Sequence, residues 1–319
     1  MSNHSLACDF CWHHCKLAEG QSGVCGVRKH VKGKLVTTTY GQIEAMGVDP
    51  IEKKPLYHYY PGSRTFSFAL FGCNLACDFC QNHSLSQGSP TNSLASDRLD
   101  PSKIIALARA KGCHSISYTY SEPLVWQDYM IEVARLAKRA GMQNIMVTNG
   151  SFSREALERL LPVIDAFNLD IKGDEAFYKE VCRGNQQVVL DAIAAIARTK
   201  AHLEVTTMLI ESMHTSDDVR TLGKLLYERG VQVWHLSRFF PQYKMSHIKA
   251  TSESYLTKMV RLAGQSGIPY IYSGNSSSER TTFCPSCHAL LIDEHNSVGD
   301  FLEFGRCKRC DSPIYGVFP

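Results

Sequence analysis

Eleven of the 13 cysteines in this 319-residue chain fall into three tight groups, and this clustering constrains the fold more than any other feature. The groups are Cys8, Cys11, Cys15 and Cys25, then Cys73, Cys77 and Cys80, then Cys284, Cys287, Cys307 and Cys310. The total is odd, the chain is long, and the opening MSNHSLACDF lacks the basic and apolar blocks of an export signal. Disulfide frameworks belong to short secreted chains, so metal ligation explains the pattern better. The outer groups lie in segments, 1–55 and 280–319, too short to fold on apolar burial alone, and a bound metal staples such segments. Cys113 and Cys182 stand apart and read as buried apolar residues, Cys182 being closer to function because it follows the fourth strand.

Between the outer groups, β-rich runs at 65–71, 115–120, 144–148, 166–171, 203–210, 231–237 and 270–272 alternate with helical patterns. That alternation predicts βα units and a parallel sheet. Helix ends are legible: Asp100 as N-cap, Pro101 at the first helical position, Gly112 beyond the last turn. After Pro123, Trp126, Met130, Val133 and Ala137 share a face that stops at Gly141, and Val219, Leu222 and Leu226 do the same before Gly230. One-sided helices after parallel strands pack outside a barrel, and right-handed crossovers leave few alternatives. The expected fold class is therefore α/β, a partial (β/α)6 TIM-like barrel over 64–275 with small Cys-rich metal-binding modules at both ends. An open doubly wound sheet is the structural alternative. Segment 84–97, SLSQGSPTNSLASD, reads as a mobile connection.

Composition closes off several classes. With 44% hydrophobic and 20% charged residues the chain is neither disordered nor fibrous, and a net charge of +3 is too mild for a surface that coats nucleic acid. No run of 18 apolar residues occurs, so no membrane partner is expected and the expected location is cytoplasmic.

Cys73, Cys77 and Cys80 form C-x3-C-x2-C directly after the first strand, in FGCNLACDFCQNH, where a barrel gathers its active-site loops. A 4Fe-4S cubane needs four ligands, so three thiolates leave one iron open; the competing reading is a Cys3His zinc site completed by His83. Cys284-x2-Cys287 and Cys307-x2-Cys310 have zinc-ribbon spacing. That segment is not basic, so a structural cap is expected ahead of a nucleic-acid adaptor. The N-terminal C-x2-C-x3-C-x9-C set suits zinc or an auxiliary 4Fe-4S cluster, and His13 or His14 beside it could replace a thiol. Asp170 and Lys172 alternate with Ile171, so on a strand they share a face at the barrel mouth, where a surface ion pair is the bland alternative.

The cysteine motif with Phe79 before its last thiol resembles the cluster motif of the radical S-adenosylmethionine (SAM) enzymes. The resemblance implies a 4Fe-4S cluster on Cys73, Cys77 and Cys80 whose open iron is chelated by the amino and carboxylate groups of SAM, with Phe79 near the adenine. The segment YTYSEP is similar to the GGEP of pyruvate formate-lyase activating enzymes, which implies Ser121 and Glu122 near the methionine amino group; Tyr120 and Ser121 stand where those enzymes have glycine. Thr148, Asn149 and Gly150 match a T-N-G, Asp170 and Lys172 a D-x-K, and His235 in VWHLSRFFPQYK falls at a matching strand end. The opening CDFCWHHCKLAEGQSGVCGVR and the closing cysteine pairs narrow the resemblance to the radical enzyme of the AmmeMemoRadiSam system. It implies an electron donor such as flavodoxin or ferredoxin, and Memo-like and AMMECR-like partners. The expected function is reductive cleavage of SAM to a 5'-deoxyadenosyl radical that abstracts hydrogen from an unidentified substrate, Lys172 being counted with the three cysteines as catalytic. The alternatives are a glycyl-radical-enzyme activase and, in another class, a non-catalytic zinc-stabilised scaffold.

Overall fold

The computed structural model describes residues 5–88, 98–277 and 280–318. Of the connection at 84–97, residues 89–97 lie outside the described residues, and its start is ordered as a single turn, His83–Ser86. One eight-stranded sheet dominates. Its strands are β1 (Ala45–Pro50), β2 (Arg64–Ala69), β3 (Ser115–Tyr118), β4 (Gln143–Thr148), β5 (Ala166–Asp170), β6 (His202–Leu209), β7 (Val233–Arg238) and β8 (Tyr270–Gly274), ordered in space as in sequence. β2 to β8 are parallel, as seven runs of sequence predicted. β1 was not anticipated: it lies within 1–55, pairs antiparallel with β2, and its AMGVDP carries Gly, Asp and Pro, which strands seldom favour. The edge strands β1 and β8 do not pair with each other, so the barrel is partial.

Helices α1 (Pro101–Ala110), α2 (Gln127–Arg139), α3 (Arg154–Leu160), α4 (Gln186–Ala197), α5 (Ser216–Glu228) and α6 (Glu253–Ala263) follow successive strands. Asp100 caps α1 by accepting the Ser102 N–H, and Gly112, Gly141 and Gly230 take φ values of +66, +73 and +81 beyond helix ends, where a Cβ is disfavoured. The helices bury their apolar faces on the outer side of the sheet. There the Phe68 ring lies 5.4, 5.7 and 6.2 Å from the rings of Tyr118, Trp126 and Tyr129, and each such side chain contributes about 1.5–3 kcal/mol by leaving water.

The inner side is polar. Thr65 and Ser117 hydroxyls meet at 2.8 Å, and the Asn168 amide donates to the Thr206 hydroxyl at 2.9 Å. At the floor, the fully buried Glu204 accepts the backbone N–H groups of Tyr57 (3.0 Å) and His58 (2.8 Å) and bonds the Nε2 atoms of His202 (2.9 Å) and His235 (2.6 Å). His58 in turn bonds the Tyr315 carbonyl and the Tyr272 hydroxyl, both at 2.7 Å, tying the C-terminal segment to the barrel base.

The N-terminal segment forms two small ribbons, Leu6–Ala7 with Lys16–Leu17 and Arg28–Val31 with Lys34–Thr37. It docks on the barrel mouth, where the Trp12 N–H donates to the Ser151 carbonyl at 3.3 Å and His13 bonds the Asn74 carbonyl at 2.9 Å. The C-terminal ribbons are Thr282–Phe283 with Leu290–Ile292 and Leu302–Glu303 with Arg306–Cys307. Among the described residues no helix is long and apolar enough to cross a membrane.

Candidate active site

A cavity of about 340 Å3 opens at the C-terminal ends of the strands, and the loop after β2 lines it with Cys73, Cys77 and Cys80. The loop's backbone is held from below by the segment after β5: the Ala76 N–H donates to the Cys182 carbonyl (3.0 Å) and the Asp78 N–H to the Val181 carbonyl (3.1 Å). That segment contains a π-helical turn, Tyr178–Cys182, a departure from α-geometry that recurs at functional sites. Cys182 is buried, and a hydrogen bond from its thiol pulls the Cys77 thiol down, with further help from the Lys172 ammonium against burial. Burial pushes Cys73 and Cys80 up, so these thiols release protons on taking a metal.

The other expected residues surround the thiols. Phe79, Ser121, Glu122, Thr148, Asn149, Asp170 and Lys172 all line the same cavity. Glu122 accepts the Asn149 N–H (2.8 Å) and the Thr148 hydroxyl (2.7 Å), yet burial raises its carboxyl to about 7. The Asn149 amide reaches the Cys73 sulfur at 3.7 Å and the Asn74 side-chain oxygen at 2.8 Å. Lys172 lies 3.2 Å from Asp170 with 15% of its side chain exposed; burial opposes its charge, but Asp170 and Cys77 outweigh it and raise its pKa. The pair is thus part of the cavity wall. Ser121 is turned away from it in part, its hydroxyl bonding the Leu70 carbonyl at 2.5 Å.

Two residues weighed from the sequence stand off the cavity. His235 does not line the cavity: Ser237, two residues later on the same face of β7, does, and His235 sits one layer deeper against Glu204. His83, the candidate fourth ligand of a zinc site, stacks its ring on Tyr243 at 4.6 Å and is not among the residues lining the cavity. Lys53, Lys54, Thr206, Met208 and Asn275 line the cavity without having been anticipated.

The terminal cysteine groups differ in how tightly they close. The sulfurs of Cys284, Cys287, Cys307 and Cys310 all lie within 4.8 Å of one another, with Cys284–Cys310 and Cys287–Cys307 both at 3.6 Å. Cys8, Cys11, Cys15 and Cys25 share one region, where burial and the charges of Cys25 and Cys8 push Cys11 up to about 12. Among the described residues only the C-terminal group meets the 4.8 Å spacing.

A Methanocaldococcus jannaschii protein named only as uncharacterized, MJ0808, is 35% identical over 325 residues, covering 98% of this chain and 96% of its own. The sequence pattern of the radical SAM superfamily matches residues 69–226, from the end of β2 into α5. The chain belongs to the radical SAM superfamily. The members of this superfamily are enzymes, and membership implies a 4Fe-4S cluster and SAM. A pyruvate formate-lyase-activating enzyme of Listeria monocytogenes is 32% identical over 139 residues, 40% of this radical SAM chain and 55% of its own. The SAM-bound structure of Streptococcus suis SuiB superposes with a TM-score of 0.51 at 13% identity over 71% of this chain and 53% of that one, a likeness of fold. The donor set here fits the cofactors: three convergent thiols occupy one part of a cavity that also presents a carboxylate, an ammonium and amide groups.

Proposed function

We propose that Cys73, Cys77 and Cys80 hold the 4Fe-4S cluster and that the cavity they line binds SAM, with Glu122 toward its amino group, Lys172 toward its carboxylate or a ribose oxygen, and Asp170 offsetting nearby positive charge. The observation that carries this reading is the convergence of these six side chains on one cavity at the mouth of the partial barrel. With cluster and SAM bound, this site would supply reductive cleavage of SAM to a 5'-deoxyadenosyl radical, which would abstract hydrogen from the substrate. The chain's own residues bind, orient and shield: Phe79, buried and 5.8 Å from the Phe177 ring, offers an apolar wall for the adenine. Thr148 and Asn149 hold Glu122 in place. Radical SAM activating enzymes usually take electrons from flavodoxin or ferredoxin, and a donor of that kind fits here. The test is formation of 5'-deoxyadenosine by anaerobically reconstituted, dithionite-reduced protein; zinc alone at the three cysteines, with no product, would contradict the reading.

Glu122 sets a pH dependence. Without ligand its raised value favours the protonated form, so its contribution to stability is present below the usual 4.5 and is lost as pH rises through about 7. An iron-chelating amino group still carries N–H donors, which the ionised Glu122 carboxylate accepts, so affinity is expected to fall about tenfold from pH 8 to pH 6, one unit below that value. Titration calorimetry across that range checks it; a flat profile, or the same slope in Glu122→Gln, counts against the role.

The opening motif supports membership of the AmmeMemoRadiSam type, with Memo-like and AMMECR-like partners. Functional units 1–55, 64–275 and 280–319 follow, the first lending β1 to the barrel wall. Sulfur separations of 3.6 Å match the edges of a tetrahedron with bonds of about 2.3 Å, which supports zinc at Cys284, Cys287, Cys307 and Cys310. Cys284→Ser is expected to lose about one zinc per chain and to melt earlier, with SAM cleavage retained in folded protein. Lost cleavage at an unchanged melting temperature would give this module a catalytic part. The wider N-terminal set takes zinc or an auxiliary 4Fe-4S cluster. A second reading, activation of a glycyl-radical enzyme, is supported by the Listeria similarity.

A further inference from the structure

Among the cavity-lining residues not assigned to cluster or cofactor, Lys53, Lys54 and Tyr120 form one charged stretch of wall, with Ser237 and Asn275 also lining the cavity. It is built around one carboxylate. Asp49 on β1 accepts from the Lys54 ammonium at 2.7 Å and from the Tyr120 hydroxyl at 2.6 Å, and the Lys53 ammonium lies 3.9 Å away. The Lys54 side chain is 2% exposed, and its ammonium sits 4.5 Å from the centre of the Tyr120 ring. Although burial opposes it, Asp49 is held at about 2 by Lys54 and Tyr120, so it is ionised. Two ammonium groups therefore share one negative charge: the buried Lys54 is neutralised by Asp49, and the positive charge in excess is carried by Lys53 at the solvent-exposed edge of the cavity. Tyr120 also holds φ at +66, a conformation bulky side chains seldom adopt, and its ring and hydroxyl are what keep Lys54 and Asp49 in place.

We propose that Lys53 and Lys54 form the docking site for an oxyanion, a phosphate or carboxylate group carried by the substrate, so that this enzyme acts on anionic molecules. The assignment rests on the cavity being the SAM site, because only then is the lysine wall left to the substrate. Ser237 and Asn275 line the same cavity with short polar side chains suited to neutral parts of that molecule. The pairing with Asp49 keeps Lys54 fixed and charged before the substrate arrives, whereas the Lys53 side chain, 70% exposed, can close onto it.

The test uses reconstituted, SAM-loaded protein titrated with inorganic phosphate and with acetate, against chloride at matched ionic strength. Phosphate or acetate is expected to bind and to raise the melting temperature above the chloride control. Lys53→Met is expected to weaken that binding about tenfold or more, and Lys54→Arg to restore part of what Lys54→Met loses. Lys54→Met leaves Asp49 without its closest cation and can misfold; Lys53→Met, at an exposed side chain, carries the test in that event. Binding of phosphate alone assigns a phosphoryl group, and equal binding of acetate assigns a carboxylate. No binding by the wild type, or unchanged binding in Lys53→Met, overturns the proposal. If the same wild-type preparation still forms 5'-deoxyadenosine, only the anion site is lost; if it does not, the reading of the cavity itself fails.

Discussion

A protein in which Cys73, Cys77 and Cys80 are all replaced by alanine is expected to lose its SAM-responsive iron-sulfur signal and all 5'-deoxyadenosine formation while remaining folded. The first part follows from the three thiols being the ligands that this cavity offers a cubane. The second follows from the way the loop is held. Its backbone hangs on the Cys182 and Val181 carbonyls through Ala76 and Asp78, and Asp78 adds ion pairs to Arg183 (2.9 Å) and Lys244 (3.2 Å). None of these contacts involves a thiol. Far-UV circular dichroism and the melting temperature should therefore change little beside the complete loss of this cluster. A SAM-responsive cluster retained in the triple variant would move the cofactor to another cysteine group, the N-terminal one first.

Glu204→Ala is expected to cost about 3–5 kcal/mol of folding stability, the range for removing one partner from a buried ionic group. Glu204 has no exposed surface and satisfies four donors at once: two backbone N–H groups and two imidazoles. Burial works against its charge, but His202 and His235 pull the carboxyl far below the ordinary range. A lowered folded value means that the contribution is present above about 4.5 and is lost as pH falls below it. Removing the carboxylate leaves the turn at Tyr57 and His58 unsatisfied, and with it the support of the neighbouring Lys53 and Lys54. Guanidinium unfolding checks the figure; a loss below about 1 kcal/mol, the scale of an exposed pair, would mean that the network is dispensable.

Much of this organisation is legible in the sequence, for identifiable reasons. Seven parallel strands and the ends of α1, α2 and α5 follow from local rules, namely β-rich runs, Asp100 with Pro101, and glycines at positive φ. The cysteine loop is local too, and its neighbours along strand ends follow from register. What escapes is set by contacts distant in sequence. β1 is half-exposed and rich in strand-poor residues, and only pairing with β2 makes it a strand. Lys53 and Lys54 in IEKKP look like solvated charges, and nothing local reveals that Asp49 and Tyr120 draw Lys54 inward. The likeness of its motif puts His235 at the mouth, but its imidazole, two residues before Ser237 on the same face of β7, is held by the buried Glu204.

The central claim is that this cavity holds a cluster with one iron open to SAM, and the most direct measurement is the EPR spectrum of the reduced, reconstituted protein with and without SAM. The account predicts a reduced 4Fe-4S signal that changes shape when SAM is added and is absent from the Cys73, Cys77 and Cys80 variant. A reduced signal indifferent to SAM, or a protein that takes up zinc alone at this loop, would contradict it.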